Sequence, residues 1–115
     1  MTLFLDARLP LCFGSASAGG SGTALLVEGE MPVPDGVALA RFTPGPVTLH
    51  PGGCACCAAR SSAAEALSRL FLARARGDVA FFHSVIAVVS GADGRGAVLA
   101  ALAADPATTA RFRLA

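Results

Sequence analysis

The sequence predicts one α/β domain, because its second half alternates helix-like segments with a strand-like apolar run. The hydrophobic fraction of 54% supplies enough apolar surface for one core. The length of 115 residues is too short for two domains. The first half is rich in glycine and proline and lacks helical periodicity. We therefore expect residues 1–115 to form one sheet with flanking helices.

Short strands separated by loops are predicted for the first half. Thr2 to Leu5 and Pro10 to Phe13 are strand candidates, and Gly14 to Gly22 is a loop of small residues. Thr23 to Val27 follows as a short apolar element.

Two further β-rich segments, Val37 to Phe42 and Val47 to His50, are divided by Thr43-Pro44-Gly45-Pro46. Proline fixes φ and glycine allows a tight turn, so the two segments are predicted to pair as a hairpin.

The second half begins with a clear helix signal. Ser62-Ala63-Ala64-Glu65 fits a capping box, and Gly77 fits a C-terminal cap. Leu67, Leu70 and Phe71 recur at helical spacing and are predicted to line its buried face.

Val79 to Val89 is predicted to be a strand buried on both faces, as in a covered parallel sheet. Gly96 to Ala104 is predicted to be an alanine-rich helix that ends at Asp105-Pro106. This alternation of strand and helix favours an α/β layer architecture.

Charge and hydropathy exclude several functional classes. The net charge is +1 and the chain has no lysine, which argues against nucleic acid as a partner and excludes a lysine Schiff base. The apolar run Val79 to Ala92 has 14 residues, fewer than the roughly 20 that a membrane-spanning helix needs. We expect a cytoplasmic protein without a membrane partner, whose cysteines are thiols or metal ligands before they are structural disulfides.

The cysteine cluster is the most specific chemical signal. Cys54, Cys56 and Cys57 place three thiols within four residues, shortly before the predicted helix. Thiolates so close together favour zinc or Cu(I), and glycines at 52 and 53 allow a tight backbone around the ion. His50, water or a partner protein could supply a fourth ligand.

Two other interpretations of the cluster remain open: inert core cysteines, and a redox role through a Cys56-Cys57 disulfide. Cys12 is isolated in an apolar stretch, where packing is the expected role. His83 is expected to be a strand-end or core histidine rather than a catalytic base.

Several segments in a fixed order resemble one known family. They are Gly53 to Cys57, the capped helix, a strand ending in Ser90-Gly91, Ala97-Val98-Leu99, Asp105-Pro106 and Arg111 to Leu114. This series resembles the CobW-like metallochaperone GTPases, a group of P-loop proteins, over residues 47 to 115. The resemblance implies a partial three-layer P-loop-NTPase-like sheet with flanking helices, whose N-terminal half is degenerate and whose later strands are missing.

The resemblance also implies a function. Cys54, Cys56 and Cys57 match the metal-binding motif of the family, which implies binding of zinc, cobalt or another divalent metal for metal homeostasis or metallocofactor assembly. The implied partners are a recipient metalloprotein or a full-length relative. Missing later strands would leave an unpaired sheet edge, so we expect either a small self-contained derivative of the fold or a homodimer that closes this edge.

The nucleotide-binding features of the family are altered here. Ser90 and Gly91 match the family turn, but Val88 replaces its acidic residue. Gly14 to Ser21 keeps the spacing of a Walker A loop with Gly20 in place of lysine, and a register that ends at Thr23 also lacks it. We expect no GTP hydrolysis by this chain alone.

An alternative function is a working GTP- or ATP-binding domain with a non-standard phosphate loop. Its residues would be Gly14, Gly19, Gly20, Ser21 and Thr23, and either Arg60 or Arg95 would supply the positive charge that lysine normally provides.

Overall fold

A computed structural model of the chain describes residues 7–44 and 61–115. The described strands are β1 (Leu9–Phe13), β2 (Thr23–Glu28), β3 (Leu39–Phe42), β4 (Ser84–Val88) and β5 (Phe112–Leu114). The described helices are α1 (Ser62–Arg76), α2 (Ala92–Ala104) and α3 (Pro106–Arg111), with a short 3-10 helix at Ala16–Ala18.

The five strands form one parallel sheet in the order β3-β2-β4-β1-β5. Because all strands run the same way, the sheet has a carboxyl end, where every strand stops, and an amino end, where every strand starts. The predicted α/β class is confirmed.

Helices α1 and α2 cover one side of the sheet, and α3 packs against both of them. Alternate residues of β2 and β4, Leu26 and Val85 among them, join the core that contains Leu67 of α1 and Val98 of α2. We call this the helix-covered face.

The opposite face is covered differently. Leu25 and Val27 of β2 join Ile86 and Val88 of β4 in a second apolar cluster. The residues packed against this cluster come from the 3-10 helix and from the segment that leads into β3, and they are Ala16, Met31, Val33, Val37 and Leu39. We call this the loop-covered face. A helix layer on this side, as a three-layer fold requires, is not present in the described parts of the chain.

Helix α1 confirms the predicted helix, but its N-terminal cap is one residue earlier than predicted. The hydroxyl of Ser61, not Ser62, accepts a hydrogen bond from the backbone N–H of Ala64 at 3.2 Å. The C-terminal cap is confirmed at Gly77, whose φ of 75° lies in the left-handed region that glycine adopts without a Cβ clash.

The strand predicted over Val79 to Val89 is shorter than expected. It begins at Ser84 and ends at Val88, and the preceding segment holds Phe82 in the core but leaves Phe81 68% exposed. The predicted strand was too long because it was based on hydrophobicity, and an apolar run does not show where strand pairing starts.

The remaining predicted elements have mixed outcomes. β1 agrees with the strand predicted at Pro10 to Phe13, and the short apolar element Thr23 to Val27 forms strand β2. α2 begins at Ala92, four residues before the predicted start. Thr2 to Leu5 and Val47 to His50 lie outside the described residues, so the hairpin stays a prediction. None of the helices in the described part of the chain has the length and hydropathy of a membrane span.

The Ser61 cap gives a stability test. Ser61→Ala should lower the free energy of unfolding by about 1 kcal/mol, because a backbone N–H in the first turn of α1 loses its acceptor. Ser61→Asp should retain most of the stability, since aspartate also caps helix N-termini. Urea unfolding monitored by circular dichroism measures both variants, and equal losses would contradict the assigned cap.

Candidate functional site

The carboxyl ends of β1 and β4 lie where the direction of the chain connections reverses in this sheet. β1 and β4 are neighbours, yet the chain leaves β1 towards β2 on one side and leaves β4 towards β5 on the other. Ligands of open α/β sheets bind outside the carboxyl ends of strands at such a point of reversal. Gly14 follows β1 here and donates its N–H to the carbonyl oxygen of Ala87 at 3.2 Å.

Glu28, the last residue of β2, reaches into the turn that follows β4. Its Oε1 accepts a hydrogen bond from the backbone N–H of Ser90 at 3.0 Å, and its Oε2 accepts one from the Ser90 hydroxyl at 2.7 Å. The carboxylate also lies against Gly94 in the first turn of α2, in the position that a Cβ at residue 94 would occupy. A negative charge at this place is favourable, because the amino end of a helix carries a partial positive charge.

Arg95 brings a positive charge to the same end of the sheet. Its guanidinium carbon lies 4.3 Å from the centre of the Phe13 ring, which directly precedes Gly14. Arg60, the other arginine considered as a replacement for the Walker A lysine, lies outside the described residues.

The glycine-rich segment does not stay at the carboxyl end. It leaves β1 at Gly14, crosses the loop-covered face at Ala16, and enters β2 at Thr23, which is at the amino end because β1 and β2 are parallel. A Walker A loop instead leads directly into a helix whose N–H groups face phosphate. The structure thus separates Gly14 from the other four predicted loop residues.

Those four residues, Gly19, Gly20, Ser21 and Thr23, line one cavity of about 410 Å³. Phe81 and Phe82 line it from the other side, so the cavity lies where β2 and β4 start. Its volume falls within the range of small-molecule sites.

Phe81 is the exposed aromatic residue of this cavity, and Arg74 packs against its ring. The guanidinium carbon of Arg74 lies 4.1 Å from the centre of the Phe81 ring, and its Nε donates a hydrogen bond to the carbonyl oxygen of Phe82 at 2.6 Å. The exposed ring is therefore supported from one side by a fixed cation. The sequence alone does not single out this exposed ring, because Phe81 lies within an apolar run.

His83 is exposed and directly precedes β4. It is therefore a strand-end histidine and not a core histidine, the two positions expected from the sequence. Its backbone N–H donates to the carbonyl oxygen of Gly22 at 2.9 Å. Its ring occupies the space beside Gly22, whose φ of 80° also favours glycine.

The predicted metal ligands His50, Cys54, Cys56 and Cys57 lie outside the described residues. The described chain on either side of them, however, meets at one place: the backbone N–H of Thr43 donates to the Ser62 hydroxyl at 3.0 Å. Thr43 follows β3, so this place is at the carboxyl end of the sheet.

Cys12, which was expected to be packed, is an exposed free thiol on β1. Leu9 and Leu11 point to the helix-covered core, and strand alternation turns Cys12 to the other side. Within the described ranges, no three metal-ligating side chains come together.

Comparison with protein-family models, with curated proteins and with solved structures finds no match for this chain.

The Glu28 contact predicts a difference between two glycines of α2. Gly96→Ala should raise the free energy of unfolding by about 0.5–1 kcal/mol, because a methyl group there meets open space and alanine is the better helix former. Gly94→Ala should instead lower it, since the methyl group displaces the Glu28 carboxylate from Ser90. Thermal and urea unfolding of both variants test this, and equal stabilisation would mean that the carboxylate moves without cost.

Proposed function

We propose that this protein binds a divalent metal ion, zinc or cobalt, through the thiolates of Cys54, Cys56 and Cys57, and acts in metal handling without hydrolysing GTP by itself. The observation that carries the proposal is the sequence Gly53-Cys54-Ala55-Cys56-Cys57. Three soft donors at this spacing suit a borderline or soft ion.

Two features of the described residues support this proposal. The hydrogen bond from Thr43 to Ser62 brings together the two ends of the chain that leads to and from the cluster. The order of α1, β4, the Ser90-Gly91 turn, α2 and β5 also agrees with the order of the motifs that resemble CobW-like metallochaperones. Delivery of the metal to a recipient metalloprotein or a full-length relative is the function which that resemblance favours.

Cysteine substitutions test the metal site directly. Cys56→Ser should remove most of the metal that copurifies with the protein, because serine cannot supply a thiolate. Cys12→Ser is the matched control: it also removes one thiol, but from the exposed face of β1, and should leave the metal content unchanged. Elemental mass spectrometry and titration of the apoprotein with cobalt, whose thiolate complexes absorb light, measure the two variants.

Metal affinity should also fall as the pH is lowered, since each thiol must lose its proton to bind. Equal metal content in the wild type, Cys12→Ser and the triple variant Cys54→Ser, Cys56→Ser, Cys57→Ser would remove the assigned site. Absence of metal together with a reversible two-electron oxidation lost in Cys56→Ser would favour the disulfide interpretation instead.

A second candidate function is nucleotide binding at the glycine-lined cavity. It is favoured by the convergence of Gly19, Gly20, Ser21 and Thr23 on one cavity that has an exposed aromatic ring at its rim. A base could stack on Phe81, and glycine backbone allows close approach of a polar group.

Gly20→Leu tests this second function. Gly20 does not have a left-handed backbone and a Cβ there meets nothing within 4 Å, so leucine can fill the cavity without straining the chain. ATP or GTP binding, measured by calorimetry with magnesium, should be lost in Gly20→Leu and kept in Gly96→Leu, a matched control on α2. No saturable binding to the wild type, or equal binding to both variants, would exclude nucleotide binding at this cavity.

A further inference from the structure

Phe81 gives the glycine-lined cavity a fixed aromatic surface. A single exposed apolar side chain is common on a protein, but this one lines a cavity and is held in place. The guanidinium carbon of Arg74 lies 4.1 Å from the centre of the Phe81 ring, and Arg74 Nε donates to the carbonyl oxygen of Phe82. Arg74 covers one face of the ring while the residue stays 68% exposed, so a flat apolar face remains beside the cavity.

The turn before β2 forms the polar side of the same cavity. The N–H of Thr23 donates to the carbonyl oxygen of Gly20 at 3.1 Å, and Gly22 has the positive φ that the third residue of a type II turn requires. The N–H of His83 donates to the carbonyl oxygen of Gly22, which ties this turn to the start of β4. The hydroxyl of Ser21, in the middle of the turn, has no hydrogen-bond partner among the described residues.

Charge separates the parts of a nucleotide that this cavity could recognise. None of the described residues that line it is charged, and Arg74 is engaged with the Phe81 ring and the Phe82 carbonyl oxygen. Phosphate is usually held by arginine, lysine or the amino end of a helix, whereas the glycine-rich segment leads into strand β2. The lining therefore suits an uncharged aromatic ring better than a phosphate.

We propose that this cavity binds a neutral, planar heteroaromatic ring, such as the base of a nucleoside, and makes no contact with phosphate. The ring stacks on the open face of Phe81, and a polar atom at its edge bonds to the Ser21 hydroxyl. Stacking tolerates different bases, because every base has a π-face. The inference rests on the second candidate function and narrows its ligand from a nucleotide to a nucleoside. It does not depend on the proposed metal site.

A series of ligands tests which part of a nucleotide is recognised. In calorimetry, adenosine and guanosine should bind saturably, with dissociation constants within about threefold of those of ATP and GTP, because the phosphates gain no partner. ATP binding should not depend on magnesium and should change little between about 50 and 200 mM salt, since a phosphate contact would make it salt-dependent. Inorganic tripolyphosphate should not displace adenosine.

Variants of Phe81 test the stacking itself. Phe81→Leu keeps an apolar side chain but removes the flat ring, so adenosine binding should weaken about five- to hundredfold. Phe81→Trp keeps a flat ring and should retain binding. Both variants should fold, because the residue is exposed. Gly20→Leu fills the cavity and should abolish adenosine binding, which keeps the test valid if a Phe81 variant fails to fold.

A second exposed apolar residue provides the matched control. Leu114 is 51% exposed and lines a groove of about 540 Å³ between α2 and the edge strand β5, which we call the groove beside β5. The other apolar residues that line it are Leu99, Leu102, Ala103 and Phe112. Leu114→Ala should leave adenosine binding unchanged, and loss of binding in this variant alone would move the nucleoside site to the groove.

The ligand series also separates failure of this inference from failure of the second candidate function. Binding of ATP more than about tenfold tighter than adenosine, or displacement of adenosine by tripolyphosphate, would show that phosphate is recognised. Nucleotide binding would then stand and the nucleoside inference would fall. No binding of either adenosine or ATP would remove both. Equal adenosine binding in the wild type and folded Phe81→Leu would show that the ring does not stack on Phe81.

Discussion

The position of β4 between β1 and β2 is the constraint from which the rest of the structure follows. Both faces of β4 are buried: Val85 and Ala87 belong to the helix-covered core, and Ile86 and Val88 to the loop-covered cluster. Because β1 and β2 run parallel to it on either side, the segment joining them must pass from the carboxyl end of the sheet to the amino end. Small residues suit that path, since it crosses close to the side chains of β2 and β4, as Gly14 does beside Ile86.

This constraint explains why the glycine-rich segment Gly14 to Ser21 does not form one phosphate-binding loop. The spacing of Gly14 to Ser21 is that of a phosphate loop, but spacing along the chain does not determine which end of a sheet each residue reaches. A helix directly after β1 would keep the whole loop at the carboxyl end. The β-branched and aliphatic residues that follow Thr23 form a strand instead, and they carry Gly19, Gly20 and Ser21 to the amino end.

Local signals in the sequence predicted local structure well. The Gly77 cap, the strand β1 and the helix between Ser61 and Gly77 each depend on residues within a few positions of one another. The Glu28 contact could not be found in this way, because Glu28 and Ser90 are 62 positions apart and meet only when β2 pairs with β4. Cys12 and Phe81 were assigned to the interior from apolar neighbours, yet the side of a strand or the start of pairing decides their exposure.

The glycine-lined cavity and the groove beside β5 lie at separate parts of one sheet, and this separation makes binding at each of them independently testable. The chain enters and leaves the cysteine segment at the carboxyl end, at Thr43 and Ser62, while the glycine-lined cavity lies at the amino end. A five-residue strand such as β4 spans about 16 Å, too far for a side chain at one end to contact a ligand at the other. The groove beside β5 lies at an edge of the sheet that β1 separates from β4. A substitution that changes binding at two of these surfaces together therefore reports a change in the sheet itself, and one that changes binding at a single surface reports on that site.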